Sequence, residues 1–314
     1  MTVSTQRERI TTFDWWLPIA LLGIVTLLGC ESTIPPPPIA VDRPVPVDPP
    51  LAADRPEGTR VTGRIVSTAW RNLKGGIERA IVTAWSVPES VQVAEFSGEG
   101  EAFQMILPAG EYRLVCSAVG TRGATFEVLT KTINVGEERE QVDIGPVDLP
   151  LSKTTRLYGQ PAPQLDGIIG WQDTPPLALG DLKGKVVVLD FFAYYCSICH
   201  AHKPDLVKLR EKYNSQGLVV LAIHDSSLPT LADMNEKMGP ALNAVFKGLP
   251  PRLPIALDGN GAQSVFSAYG IQAVPAVILI DQQGKVVRRY HHAGKHELES
   301  DVQALLTMPS KRIH

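Results

Sequence analysis

One stretch of this chain, between Lys185 and Leu206, constrains the fold most: "KVVVLDFFAYYCSICHAHKPDL". It begins with an almost uninterrupted apolar run, which is typical of a parallel strand buried on both faces of a sheet. It ends with a helical pattern, and Cys196 and Cys199 stand where the strand gives way to the helix. This spacing fits a dithiol redox centre, and together with His200 it also fits covalent attachment of a c-type haem.

The rest of the C-terminal half alternates between strands and helices. The runs "LVVLAIHD", "LPIALD", "AVILID" and "KVVRRYHH" have strand character. The helix that contains the cysteines should end at Gly217, the next should break at Pro240, and a last one should begin near Lys295. Such alternation predicts an α/β layer fold.

Residues 59–150 have a different pattern, made of short runs rich in Val, Ile, Thr and aromatic residues with turn residues between them. This pattern predicts an all-β sandwich. The segment "GEGEAFQMILPAGEYRLVC" resembles the carboxypeptidase regulatory-like, transthyretin-like domains, which implies a hairpin around its Pro-Ala-Gly turn. That resemblance concerns fold and says little about function. Cys116 lies in an alternating strand, and we expect it to be a small buried apolar residue.

The first thirty residues look like an export signal rather than part of a fold. Arg7 and Arg9 precede an apolar run that is too short for a typical membrane-spanning helix and that ends in "LLGC". This ending resembles the lipobox of bacterial lipoproteins, which implies lipidation at Cys30; the alternative is an uncleaved N-terminal anchor. The proline-rich residues 31–58 favour an extended stalk. We therefore expect an exported protein, lipid-anchored to the cell envelope and facing the periplasm.

Length and charge indicate how many domains the chain has and which partners it lacks. A chain of 314 residues is long enough for two domains, and we predict a signal segment at 1–30, a linker at 31–58, a β-sandwich at 59–150 and an α/β domain at 151–314. The net charge of −3, without a block of basic residues, indicates no nucleic-acid partner. Four cysteines are too few for a disulfide scaffold.

Three motifs in order make the α/β domain similar to the TlpA/ResA-like thiol–disulfide oxidoreductases. They are "GKVVVLDFFAYYCSICHAHKPDL", "LVVLAIHD" and "YGIQAVPAVILIDQQGKVV", preceded by the entry segment "GQPAPQLDG". The resemblance implies a thioredoxin-like fold. The chain departs from the family at Tyr195, where a tryptophan is usual, at the Ser197–Ile198 dipeptide, and at His200 and His202.

The resemblance also implies a catalytic dithiol. Cys196 would be the exposed attacking thiol, since a helix N-terminus favours the thiolate, and Cys199 would resolve the mixed disulfide. Pro275 would be a cis-proline that faces the dithiol. The backbone of Val274 and the side chain of Tyr195 would then contact an extended substrate segment.

Asp190 matches the aspartate that stands six positions before the first cysteine of thioredoxins. That match implies a proton acceptor for Cys199. We expect burial to raise the pKa of Asp190, and removal of its carboxylate to leave stability unchanged or to increase it. The alternative is an aspartate paired with a lysine and without a part in catalysis.

The expected activity is thiol–disulfide exchange on cysteine-containing envelope proteins, without a bound cofactor or metal. Electrons would come from, or go to, a membrane-embedded partner, and families of this type often reduce apocytochrome c. The direction of exchange stays open. Three alternatives remain: haem attachment, a copper carrier that uses the two cysteines with His200, His202 or His224, and an interaction module with an idle dithiol. His291, His292 and His296 add further imidazoles to the copper hypothesis.

Overall fold

A computed structural model of the chain describes residues 58–137, 141–247, 253–291 and 296–308. The signal segment, Cys30 and the proline-rich segment up to residue 57 lie outside these ranges, so the expectations for them stay predictions. Among the helices within these ranges, none has the length and apolar character needed to span a membrane.

The first part of the described chain consists of eight strands and one short helix. They are β1 (Thr59–Val66), α1 (Thr68–Asn72), β2 (Ile77–Ser86), β3 (Gln92–Glu99), β4 (Ala102–Leu107), β5 (Gly110–Gly120), β6 (Ala124–Thr125), β7 (Leu129–Val135) and β8 (Gln141–Asp148). One sheet has the order β4-β1-β8. The other has the order β3-β2-β5-β6, and β7 also pairs with β5.

These two sheets share one apolar core. Val61 of β1 and Leu107 of β4 are fully buried together with Val82 of β2 and Leu114 of β5. Cys116 lies in the same core with no exposed surface, and burial raises the pKa of its thiol to about 11. Its predicted role as a small buried apolar residue is thus confirmed, whereas the transthyretin-like assignment and the limits of this domain stay predictions.

The hairpin that the resemblance implied around Pro108 and Ala109 is absent from the described strands. The turn joins β4 to β5, but β4 pairs with β1, while β5 pairs with β2, β6 and β7. The chain therefore crosses from one sheet to the other at this turn. The Tyr112 hydroxyl donates a hydrogen bond to the Pro108 carbonyl (3.1 Å) and so closes the crossing without strand pairing.

The second part of the chain alternates between strands and helices. Its elements are α2 (Lys153–Arg156), β9 (Ile168–Gln172), β10 (Val186–Phe192), α3 (Ser197–Tyr213), β11 (Leu218–His224), α4 (Leu231–Phe246), β12 (Ile255–Asp258), α5 (Val265–Tyr269), β13 (Ala276–Ile280), β14 (Val286–Tyr290) and α6 (Glu297–Thr307). The strands form one sheet with the order β14-β13-β10-β11-β12-β9. Strands β10, β11 and β12 are parallel, and the others are antiparallel to their neighbours. The predicted α/β layer fold is confirmed.

Strand β10 lies in the middle of this sheet, and all seven of its residues are buried. Val186, Val188 and Phe192 belong to the core that also contains buried residues of α3, α4 and α6. Leu189 and Phe191 belong to the core on the opposite face, which contains α5. Since side chains alternate along a strand, Asp190 points to the same face as α3.

Helices α3 and α4 both tolerate an internal proline. Helix α3 contains Pro204 and leads through a 3₁₀ turn to Gly217, whose φ of +105° ends it as predicted. Helix α4 runs through Pro240, so the predicted break at this residue is wrong. Proline removes one backbone hydrogen bond, and here the packing of Met234 and Met238 in the core holds the helix together despite that loss.

Tyr158 joins the two parts of the chain. Its hydroxyl donates to the Gly123 carbonyl, which follows β5, and accepts from the backbone N–H of Arg289 in β14 (3.1 and 2.9 Å). Gly123 has a φ of +68°, and a Cβ at this position would lie 1.9 Å from the Arg289 carbonyl oxygen. The contact between the two parts is therefore close enough to require glycine.

Candidate active site

The two cysteines stand where β10 meets α3. After Phe192 the chain makes one turn, closed by the Cys196 N–H to the Ala193 carbonyl (3.1 Å), and α3 begins directly behind it with Cys196 as its N-cap. Cys196 and Cys199 form a disulfide with a Cα–Cα distance of 5.2 Å. The Cys196 sulfur also accepts the backbone N–H of Cys199 (3.2 Å). The predicted pair is therefore present, at the N-terminus of a helix.

The two sulfurs differ in access. Cys199 has no exposed surface, whereas Cys196 is only partly buried. Tyr195 and Ile198, close to Cys196 in the sequence, are 64% and 60% exposed. A partner can thus reach Cys196 and not Cys199. The partial positive charge at the start of α3 would stabilise a thiolate at this position in the reduced protein.

The peptide bond between Val274 and Pro275 is cis, as the sequence predicts. Pro275 precedes β13, which runs antiparallel to β10 and pairs Ala276 with Phe191. The Val274–Pro275 segment therefore reaches the sheet at the end where β10 gives way to the cysteines. Val274 and Cys196 also pack against the same apolar core. The predicted contacts of Val274 and Tyr195 with a substrate stay predictions.

Asp190 is bonded to two side chains of α3. Its Oδ2 lies 3.1 Å from Nζ of Lys203, and its Oδ1 accepts from Nε2 of His202 at 3.0 Å. Asp190 and Lys203 have no exposed surface. The Lys203 ammonium also lies 3.4 Å from the centre of the Phe192 ring. The core directly beneath α3 thus contains an ion pair.

The expected rise in the pKa of Asp190 is wrong. Burial does raise the pKa of this carboxyl, but the charge of Lys203 and the hydrogen bond from His202 outweigh burial and hold the pKa below its usual value. The sequence alternative of a lysine-paired aspartate is present in the structure. The role of Asp190 as proton acceptor for Cys199 stays a prediction.

The histidines near the cysteines are occupied by other contacts. Nε2 of His200 bonds the Tyr194 carbonyl, and Nε2 of His224 accepts the Tyr194 N–H (2.8 and 2.9 Å). Among the residues that the structure describes, no three of the types His, Cys, Asp and Glu are grouped so as to hold a metal ion. The copper hypothesis therefore receives no support from the geometry of the described site. His292 lies outside the described ranges.

From the sequence, we did not predict Lys203 or Asp225 as parts of the site, and we singled out His224 only as a candidate copper ligand. A signal for Lys203 was available, because it lies four residues after Cys199 and three before Leu206, on the apolar stripe of α3. A charged residue on such a stripe needs a buried partner. His224 and Asp225 come at the end of β11, the strand beside β10, where a parallel sheet gathers its functional residues.

Comparisons with known proteins agree with this site. Residues 158–306 match the Redoxin family. Protein DipZ of Mycobacterium bovis is 35% identical in an alignment of 171 residues that covers 50% of this chain and 24% of DipZ. The thiol–disulfide oxidoreductase ResA of Bacillus thuringiensis is 32% identical over 114 residues, 36% of this chain and 58% of ResA. The chain thus spans less than two thirds of the length of either relative.

The C-terminal half is a Redoxin domain with a thioredoxin-like fold, homologous to thiol–disulfide oxidoreductases. Its dithiol is the pair Cys196 and Cys199. Among solved structures, a thiol-disulfide isomerase from Corynebacterium glutamicum is 23% identical, with a TM-score of 0.38, over 47% of this chain and 98% of that chain.

Proposed function

We propose that this protein catalyses thiol–disulfide exchange on protein substrates through Cys196 and Cys199. One observation supports this most: a disulfide at the start of a helix exposes only its first cysteine, at the same end of the sheet that the cis Val274–Pro275 bond reaches. A purely structural disulfide would stabilise little here, because a loop this short barely restricts the unfolded chain. The geometry therefore favours a reactive disulfide.

The exchange has two steps that balance in atoms and electrons. In the reduced protein, the Cys196 thiolate attacks a substrate disulfide, which forms a mixed disulfide and releases one substrate thiolate. The Cys199 thiolate then attacks the Cys196 sulfur, which restores the Cys196–Cys199 disulfide and releases the second thiolate. The protein loses two electrons and the substrate gains them. The reverse sequence oxidises a substrate dithiol.

The substrates we propose are cysteine-containing proteins of the cell envelope, apocytochrome c among them. A membrane-embedded partner would exchange electrons with the dithiol. These proposals are supported by the export-type first segment, by "LLGC" at Cys30 and by the proline-rich composition of residues 31–58. The relative named thiol–disulfide oxidoreductase ResA supports the type of chemistry, over the part of the chain that it matches.

A turnover assay tests this proposal. With dithiothreitol as reductant, the segment from residue 58 onwards should accelerate the reduction of insulin disulfides, and Cys196→Ser should reduce the rate to that of dithiothreitol alone. Cys116→Ala is the matched control, since Cys116 is buried in the core of the other part of the chain and should leave the rate unchanged. Full turnover in Cys196→Ser would contradict the proposed function.

A further inference from the structure

In the turn before Cys196, two histidines bind the backbone N–H and C=O of the second residue, Tyr194. A hydrogen bond from the Cys196 N–H to the Ala193 carbonyl closes the turn, and Tyr194 and Tyr195 are its two central residues. A turn of this kind does not use the N–H and C=O of its second residue for its own closure. At a partly buried position such as Tyr194, these groups need other partners.

His224 binds the N–H of this residue. It is the last residue of β11 and has no exposed surface, and its Nε2 lies 2.9 Å from the Tyr194 nitrogen. Its Nδ1 lies 2.7 Å from the carbonyl oxygen of Asp225 and 3.2 Å from the Asp225 carboxylate. Both of these oxygens accept, so Nδ1 carries the hydrogen and Nε2 is free to accept from Tyr194. The rings of His224 and Tyr194 also stack, with their centroids 6.1 Å apart and an angle of 11° between their planes.

His200 binds the carbonyl of the same residue. It lies in the first turn of α3, and its Nε2 is 2.8 Å from the Tyr194 oxygen. A carbonyl only accepts, so Nε2 of His200 carries the hydrogen. Its Nδ1 is buried and has no hydrogen-bond partner among the described residues. The two histidines are therefore held in opposite tautomers by one residue.

The surrounding charges are compatible with two neutral rings. Asp225, Lys203 and His200 are the titratable groups that act on His224; Lys203, Asp190 and His202 act on His200. Burial lowers the pKa of both rings, and the partial compensation by hydrogen bonds and by the acidic groups does not reverse this. Both histidines are thus neutral near pH 7, as the tautomers require.

We propose that His200 and His224 are positioning residues that fix the turn and thereby set the reactivity of Cys196. The proposal rests on the proposed function, because Cys196 is the sulfur that exchanges. A second contact strengthens the arrangement: the Tyr195 hydroxyl donates to the carboxylate of Asp225 at 3.1 Å, so both central residues of the turn are tied to the end of β11.

The turn affects the reactivity of Cys196 because it sets where the sulfur lies at the N-terminus of α3. The Cys196 sulfur accepts a hydrogen bond from the Cys199 N–H only if the turn holds that sulfur at the start of α3. This hydrogen bond and the helix dipole stabilise a thiolate. When the turn loosens, the sulfur leaves that position and the pKa of the thiol moves toward the ordinary value of about 8.5.

The test measures the reactivity of Cys196 itself. In the reduced protein, alkylation by iodoacetamide is followed by mass spectrometry as a function of pH. In His224→Leu and His200→Leu, the midpoint of the pH dependence of alkylation should rise by about one pH unit. Below the midpoint, Cys196 should then react about tenfold more slowly than in the wild type. His224→Gln and His200→Gln should recover most of the shift, since a glutamine amide can accept from the Tyr194 N–H or donate to its carbonyl. His296→Gln is the control, an exposed histidine at the start of α6.

A measurement on the unmodified protein needs no variant and no substrate. Nitrogen NMR of the imidazoles should show Nδ1–H for His224 and Nε2–H for His200. The opposite tautomers, or unshifted midpoints in leucine variants that keep their near-UV circular dichroism, would overturn the proposal. If the leucine variants unfold, a glutamine variant with a fully shifted midpoint would overturn it too. Absent turnover in the wild type, with the midpoint shifts present, would instead refute only the proposed function.

Discussion

At the residue scale, the electrostatic environment of Asp190 depends most on Lys203, whose place on the apolar stripe of α3 is a sequence signal but whose pairing with Asp190 is set by the fold. A carboxylate alone in this core would be destabilising, and its pKa would rise. Lys203 offsets the destabilisation and lowers the pKa of Asp190, because it places an ammonium 3.1 Å from the carboxylate where neither group has exposed surface. The loss of either partner would leave the other as an unpaired buried charge.

We therefore expect Asp190→Asn to be destabilising, contrary to the expectation from sequence. Its free energy of unfolding should fall by roughly 3–5 kcal/mol, and that of Lys203→Met by a similar amount. The double variant should recover most of the loss, since no buried charge remains. Chemical denaturation near pH 7 measures all four proteins. Single variants as stable as the wild type would contradict this account of the pair.

The same pair has a pH dependence with a definite sign. The folded-state pKa of Asp190 is below its usual value, so the stability it provides is present at neutral pH and is lost as the pH falls through that pKa. Asp190→Asn should therefore show a flatter decline in melting temperature below pH 4 than the wild type.

Sequence patterns identified Cys196, Cys199 and Pro275 because a spacing and a local motif mark each of them. They did not identify Asp225, and they singled out His224 only as a candidate copper ligand. The contacts of these two residues with Tyr194 and Tyr195 bring together residues about 30 positions apart. Such contacts depend on the register between β10 and β11, which pairs Phe192 with His224. A periodic pattern predicts that two strands exist and does not set this register.

At the element scale, local signals were reliable where packing agreed with them. The buried run of β10 and the stop of α3 at Gly217 followed from residue patterns. The turn at Pro108 and the helix through Pro240 did not, because strand partners and core contacts decide both. Strand β9 at the sheet edge was missed, since its sequence "IIGWQ" is too short for a clear alternation.

Gly123 offers a sharp test at this scale. Gly123→Ala should be destabilising for two reasons, a positive φ and a Cβ 1.9 Å from the Arg289 carbonyl oxygen. Gly145→Ala is a matched control, because its φ of +70° is nearly the same and nothing lies within 4 Å of its Cβ. The control should lose about 1–2 kcal/mol, and Gly123→Ala about 1–3 kcal/mol more. Equal losses by denaturation would mean that the two parts of the chain can separate at no cost.

At the scale of the whole molecule, the proposed envelope location rests on the first segment. Expressed from its own start in a bacterial host, the chain should incorporate labelled palmitate and partition with membranes. Cys30→Ala should lose the label while the folded part stays intact. Equal labelling in both proteins would refute lipidation at Cys30, and an unlabelled wild type would indicate an ordinary signal or an uncleaved anchor.

The central claim is that substrate disulfides are attacked by Cys196 and that Cys199 resolves the product. Cys199→Ser should therefore accumulate a mixed disulfide with a model disulfide peptide, because the second attack is removed. Peptide mapping by mass spectrometry should locate one substrate half on Cys196 and none on Cys116, and dithiothreitol should release it. The absence of an adduct, or an adduct on Cys116 alone, would contradict the account.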